Sequence, residues 1–302
     1  MTTQFNRTAI YISLGLSIAL VFGVIFGAKF VFENTAKAPV AISPIKSDFA
    51  DSPQCSGAVD ALPSDFMGHP RAEVAEPVPA GVAAWASTST DEVTLRCGVD
   101  LPLQYTSYSQ PQDIDGSRWL EVSDMTPGST LTTWYNTDHF PTLAVTTFDD
   151  ARPSGLDSAL DKLDSRSPSP APAPLSQLAA GPDAMCSELE DNLPDSVADG
   201  YQRRTDINEK NTFVWSAPGR EEIVVRCGIA SPENYRAGVQ LQQVNDVPWF
   251  EDTTLGEGTT AGTWFALGRA DDLALHAPQD VAGSALVRLS DVLSAHTPAQ
   301  EA

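Results

Sequence analysis

Basic side chains are scarce in this sequence. Its 302 residues carry 18 Lys and Arg against 40 Asp and Glu, a formal net charge of −22. A surface of that sign repels phosphate backbones and excludes nucleic acid as a partner. It also argues against peripheral docking on anionic lipid. Such acidity serves solubility first and leaves cationic ligands or divalent ions as the charged partners it would suit. Histidine is nearly as scarce. His69, His139, His276 and His296 fall out of step with the four cysteines, and no C-x-x-C occurs, so no metal site is expected. The G-x-S-x-G elbow, H-E-x-x-H, the Walker loop and G-x-G-x-x-G are all missing, and no cofactor is implied. A catalytic pair of Asp and Glu leaves no spacing rule, so a carboxylate enzyme stays an alternative.

One long apolar run is present. Ala9 to Ala28 holds 20 residues without a charge, about the length that crosses a bilayer core. Lys29 interrupts it, and Phe30, Val31 and Phe32 extend it to the interface. Ala36-Lys37-Ala38 has the shape of a cleavage site, but Pro39 would follow the cut, so an uncleaved signal anchor is the favoured reading. No Cys directly follows the run, so a lipoprotein anchor is not supported. Arg7 precedes the run while Lys29, Lys37 and Lys46 follow it, so the positive-inside rule does not choose an orientation. The cysteines set it instead.

Those cysteines belong to a duplication. Trp85, Trp119 and Trp134 recur as Trp215, Trp249 and Trp264, each 130 residues later. Cys97 and Cys227 are 130 apart, and Cys55 and Cys186 are 131 apart. Two cysteines at matched positions in each copy point to disulfides made in an oxidising compartment. Four cysteines allow three connectivities, of which local closure, Cys55 with Cys97 and Cys186 with Cys227, is the simplest. The expected plan is a cytoplasmic tail (1–8), a transmembrane signal anchor (9–32), a stalk (33–53), a first unit (54–163), a proline-rich linker (164–183), a second unit (184–297) and a tail (298–302). The protein would sit in the cell membrane as a single-pass chain with its bulk extracytoplasmic.

Within each unit the patterns run in the same order. Cys55–Leu62 and Cys186–Leu193 suit short helices stopped by Pro63 and Pro194. Val93, Leu95 and Cys97 alternate with Thr94 and Arg96, and Ile223–Cys227 repeats that strand pattern. Further strands surround Trp85, Trp119, Trp134 and residues 143–148, with their counterparts in the second unit. Leu156–Leu163 and Ala285–Leu293 close the units as amphipathic helices. The fold class is therefore α+β, with about five mostly antiparallel strands per unit, flanking helices and one sheet face left partly exposed.

The pattern Leu62-Pro63, Ala84-Trp85, Leu95-Arg96-Cys97-Gly98, Pro102, Trp119 is repeated as Leu193-Pro194, Val214-Trp215, Val225-Arg226-Cys227-Gly228, Pro232, Trp249. It resembles a family of uncharacterised actinobacterial envelope proteins, the domain of unknown function numbered 3515. Gly268-Arg269 also fits the family pattern, whereas the first unit has Asp138-His139 at the equivalent place. The resemblance implies a secreted or membrane-anchored envelope protein and supplies no catalytic residues.

For ligand binding, Arg96 and Arg226 are candidates because a guanidinium beside a strand can clamp a carboxylate or phosphate. Trp134 and Trp264 are candidates as sugar-stacking platforms, although aromatic rings in strands more often belong to the core. Asp113-Ile114-Asp115-Gly116 lacks the later acidic ligands of a calcium loop and reads as a turn. The doublets Asp149-Asp150, Glu221-Glu222 and Asp271-Asp272 read as solvated turns. The leading expectation is a non-enzymatic binding module for an envelope protein, glycan or lipid. A carboxylate hydrolase or transferase acting on envelope polymers, and an accessory subunit of a membrane complex, are the alternatives.

Overall fold

The computed structural model describes residues 7–35, 39–88, 91–148, 151–255 and 259–297. Residues 1–6 of the expected tail, the Ala36-Lys37-Ala38 motif, the Asp149-Asp150 doublet and the tail 298–302 lie outside them.

Helix α1 (Arg7–Thr35) contains the apolar stretch Tyr11–Lys29, long enough for a membrane span or a signal anchor, with none of that stretch buried against the rest of the chain. The first module follows with α2 (Pro53–Asp60), β1 (Asp65–Phe66), β2 (His69–Ala72), β3 (Val82–Ala86), β4 (Glu92–Cys97), β5 (Gln112–Ile114), β6 (Ser117–Ser123), β7 (Thr132–Asn136), β8 (His139–Phe140), β9 (Leu143–Thr147), α3 (Asp157–Leu160) and β10 (Asp164–Ser165). The second holds α4 (Cys186–Asn192), β11 (Gln202–Arg203), β12 (Thr212–Ser216), β13 (Ile223–Ile229), β14 (Gln242–Val244), β15 (Val247–Glu251), β16 (Ala261–Ala266), β17 (Asp272–Pro278) and α5 (Gln279–His296).

Each module is built on one antiparallel sheet. The strand orders are β1-β2-β3-β4-β9-β7-β6-β5 and β11-β12-β13-β17-β16-β15-β14. The five expected strands form the middle of each sheet, and short edge strands enlarge it to eight and seven. Two or three residues leave no readable alternation, which is why pattern alone misses β1, β5, β11 and β14. The closing helices differ between modules. α5 spans 18 residues and buries Leu286, Leu289 and Leu293, whereas the segment around Leu156 makes only the single turn α3. Its apolar stripe is still used, because Leu156, Leu160 and Leu163 reach the first core without further helix.

The inner face of each sheet packs on its helices. Trp85, Trp119 and Trp134 lie in the first core, and Trp215, Trp249 and Trp264 in the second. Disulfides join α2 to β4 through Cys55–Cys97 and α4 to β13 through Cys186–Cys227, with Cα separations of 5.5 and 5.7 Å. A closed loop of that size restricts the unfolded chain by about 4 kcal/mol in the chain-entropy account. Trp85 Nε1 donates to Pro63 O and Trp215 Nε1 to Pro194 O, each at 3.0 Å, so even the side-chain contacts are duplicated.

The sequence pattern predicts partly open outer faces, and the structure covers both. In the first module the stalk residues Val40 and Ile42 lie on Val82, Ala84 and Ala86. In the second, Ala173 and Leu175 of the proline-rich segment lie on Val214, Val224 and Phe265. Each module therefore has a strap, the chain that precedes it, laid across the sheet. Two faces of apolar side chains demand two covers, and the straps are the nearest segments able to supply the second.

Close approach of strap to sheet requires glycine at the end of the central strand. Gly98 has φ +84°, and a Cβ there would stand 2.5 Å from Ala50 N and 2.6 Å from Phe49 C. Gly228 has φ +73°, with Asp183 Cβ at 2.6 Å from the same imagined atom. By contrast Gly116, at φ +81° in the β5–β6 turn, has open space around it. Gly98→Ala is therefore expected to destabilise by about 3 kcal/mol, combining strain with collision, and Gly116→Ala by about 1 kcal/mol through strain alone. Urea unfolding of the two variants measures both; equal losses would show that the strap does not press on Gly98.

Candidate functional site

The four residues singled out as ligand contacts are engaged within their own modules. Arg96 Nη2 donates to Ser43 O at 2.8 Å. Arg226 Nη1 donates to Leu175 O at 2.7 Å and to Leu178 O at 2.9 Å. Both guanidinium groups thus hold the strap by its backbone. Trp134 and Trp264 are only 2% and 3% exposed, leaving no ring face open to a sugar. Their Nε1 atoms are buried without a hydrogen-bond partner in both modules. None of the four lines the cavities described next. Arg269, from the Gly-Arg pair, is also used internally, on Thr297 O and Asp246. Asp115 and Gly116 form the β5–β6 turn, where Asp115 Oδ2 accepts from Ser154 Oγ and Gly155 N.

The chemistry that pattern reading misses lies where the modules meet. Ser123 N donates to Gly219 O at 2.8 Å, Arg204 Nη1 donates to Tyr108 O, and Ala171 N donates to Tyr105 O at 2.9 Å. Tyr108 of the first module is buried in the outer-face cluster of the second. The turn from β12 into β13 is drawn into this junction and carries Glu221 and Glu222 with it. They are not solvated, as their doublet suggests, but 7% and 5% exposed. Asp271 is corrected in the same way, being buried and accepting from Met185 N at 2.6 Å.

Glu221 is held on one side only. Its Oε1 lies 3.1 Å from His276 Nε2, whose Nδ1 faces Thr263 Oγ1 at 3.4 Å. An ionised carboxylate only accepts, so the contact with Glu221 is made by an Nε2–H, and the Thr263 hydroxyl can serve Nδ1 as donor or acceptor. Glu221 Oε2 and Glu222 Oε2 are both buried without partners. An unmet buried carboxylate oxygen costs on the order of 1–3 kcal/mol or more, so two side by side mark the site as unfinished. Of the nearby cations, Arg220 pairs with Asp280 while its Nε is buried without a partner, and Arg204 pairs with Asp206 at 2.6 Å.

Glu221 lies on the walls of three cavities, two of which also hold its polar neighbours. One, of about 270 Å³, runs between the β5–β6 hairpin and the β12–β13 turn, with Glu121, Glu221 and Glu222 on its walls. The other, of about 230 Å³, lies under the proline-rich strap, where Pro172, Leu175, Leu178 and Leu255 supply an apolar lining around Glu221, Thr263 and His276. Among the described residues no group of three or more His, Cys, Asp or Glu is arranged to hold a metal ion.

The first module carries different residues at the equivalent places. Thr133 and Thr146 occupy the places of Thr263 and His276, and their hydroxyls bond at 3.0 Å. Asp91 and Glu92 occupy those of Glu221 and Glu222; Asp91 is exposed and accepts from Thr88. The signal available in the sequence was this departure between copies, Thr146 against His276, at positions otherwise in register.

Burial pushes the Glu222 carboxyl up to about 7, with the neighbouring Glu221 adding to the effect and Arg204 opposing it. A carboxyl whose folded value exceeds its unfolded value holds more protons in the native state. Its contribution is therefore complete below about pH 4.5 and is lost as pH rises towards 7. The chain should lose on the order of 3 kcal/mol across that window, and Glu222→Gln should remove the slope. Urea unfolding at pH 5, 6, 7 and 8 tests this; identical slopes in both proteins would contradict it.

A family model described as "Protein of unknown function (DUF3515)" matches residues 14–170 and again residues 159–302. No curated protein and no solved structure matches the chain.

Proposed function

The chain belongs to the DUF3515 family in two tandem copies, and on that premise we propose that it is a membrane-anchored, extracytoplasmic binding protein of an actinobacterial cell envelope that takes its ligand at the junction of its modules. The division at 54–163 and 184–297, with the chain between them serving as a strap, is part of this reading. Helix α1 supports the anchor, and the two disulfides support an oxidising compartment. One observation carries the binding role: Glu221, buried against His276 and with its second oxygen unpartnered, belongs to the walls of the cavities at the junction. Native proteins leave few buried polar atoms unsatisfied, so a pair of unmet carboxylate oxygens calls for an explanation.

A hydrolase or transferase is the second reading, favoured by the relay from Thr263 through His276 to Glu221. Equilibrium dialysis of the full chain in neutral nanodiscs against an extract of the source envelope separates the two. The binding reading predicts that a component is retained unaltered in mass and is lost with Glu221→Gln. Retention of nothing, or equal retention by the variant, overturns it; conversion to a smaller or transferred product establishes the enzyme instead.

A further inference from the structure

We propose that the junction between the modules is a proton-operated latch, closed while Glu222 is protonated and loosened once it ionises. As regulation of the site at the junction it rests on the binding function above; the latch itself needs no ligand.

The two copies supply the first argument, because they hold one sheet position inside and outside a junction. Glu92 and Glu222 each stand just before the first inner-face residue of the central strand, Val93 and Ile223. Glu92 is partly exposed and Asp91 beside it is exposed. Glu222 and Glu221 are only 5% and 7% exposed. What the second position has in addition is the first module, whose Gln104, Gln110, Gln112 and Glu121 face Glu222 across the cavity of about 270 Å³. Closing the junction is therefore what dries Glu222.

Closing it also gathers charge of one sign. Glu121 on β6 belongs to the first module, Glu221 and Glu222 to the second, and one cavity wall holds all three. Glu121 Oε2 accepts from Gln112 Nε2 at 2.8 Å, and Glu221 Oε1 is held by His276 of β17. The Oε2 atoms of Glu221 and Glu222 have no partner. Two cations face this group. Arg204 donates to Tyr108 O and pairs with Asp206. Arg220 pairs with Asp280 at the start of α5 and lies over the Tyr201 ring at 4.9 Å, with its Nε unpartnered. These two guanidinium groups are set among Glu121, Glu221, Glu222, Asp206 and Asp280, so ionising Glu222 adds charge that the closed junction leaves in excess.

The latch and its sensor share one turn. Ser123 N of the first module donates to Gly219 O at 2.8 Å, three residues before Glu222. Gly219 has φ +67°, and a Cβ there would collide with Ser123 Oγ. Burial pushes the Glu222 carboxyl from 4.5 up to about 7, with Glu221 adding to the effect and Arg204 opposing it. Opening the junction hydrates the group and returns it towards the lower value. The closed state thus holds the proton more tightly. Its advantage is complete below about pH 4.5 and is lost as pH rises through about 7. Over that window the closing equilibrium weakens by up to about 300-fold.

Electron–electron double resonance on the full chain in neutral nanodiscs, without ligand, provides the test. Spin-labelled unnatural residues replace the exposed Asp161 of the first module and Arg288 of the second. A pair at the exposed Glu76 and Asp161, both within the first module, controls for unfolding. The latch predicts that the ratio of open to closed distances across the modules rises at least tenfold from pH 5.5 to 8.5, while the control distance holds. Glu222→Gln should abolish the rise. Gly219→Ala, which forces the turn off Ser123, should give open distances already at pH 5.5. A smaller rise, as when Arg220 compensates the ionised carboxyl, overturns the latch. So does a rise that persists in Glu222→Gln or that the control pair shares. Where Glu222→Gln does not fold, a closed distribution in Gly219→Ala at pH 5.5 overturns it instead. Because no ligand is present, failure here leaves the dialysis result, and the binding function, untouched.

Discussion

Covering the second face of each sheet is the constraint on which the rest of this structure depends. A sheet packed on helices by one face still presents an apolar face, and this chain covers it with the segment that leads into the module. Three consecutive residues do the fastening. In Arg96-Cys97-Gly98 the arginine holds the strap by Ser43 O, the cysteine ties the strand to α2, and the glycine lets residues 49 and 50 approach. In Arg226-Cys227-Gly228 the same three tasks involve Leu175 and Leu178, α4, and Asp183. Alternation places arginine and cysteine on opposite faces of one strand, so cover and core are locked from adjacent positions.

Duplication of that device created the junction. The strap of the second module is also the connection from the first, so covering the second sheet draws the modules together. Tyr108, Gly219 and the β12–β13 turn then become interior. At this point the copies differ in chemistry. Where the first module closes a Thr133–Thr146 pair, the second builds Thr263, His276 and Glu221 into a chain of hydrogen bonds ending on an unpartnered oxygen. The first copy pairs two hydroxyls at the place where the second carries the buried acid.

Much of the fold was legible in the sequence because its causes are local or periodic. The recurrence of three tryptophans at one offset shows two copies, and the alternation in residues 93–97 and 223–227 shows antiparallel strands. The α+β class follows from those. The straps were not legible, since Val40, Ile42, Ala173 and Leu175 are isolated apolar residues in polar or proline-rich sequence. Their burial depends on a sheet that forms elsewhere. Glu221 and Glu222 escape sequence reading for the same reason: a charged doublet after Pro218 and Gly219 has the composition of a solvated turn, and what buries it comes from the other module. Leu156–Leu163 shows the converse error, an apolar stripe with helical spacing that is used almost without a helix.

Amide hydrogen exchange along the straps tests this account most directly. Val40 N donates to Glu73 O, Ala171 N to Tyr105 O and Gly181 N to Gly228 O, at 2.8, 2.9 and 2.9 Å. The account predicts slow exchange at all three in the full chain, and a selective rise at Ala171 and Gly181 on Arg226→Ala, with Val40 unaffected. Exchange of the wild-type straps at the rate of free peptide would contradict it.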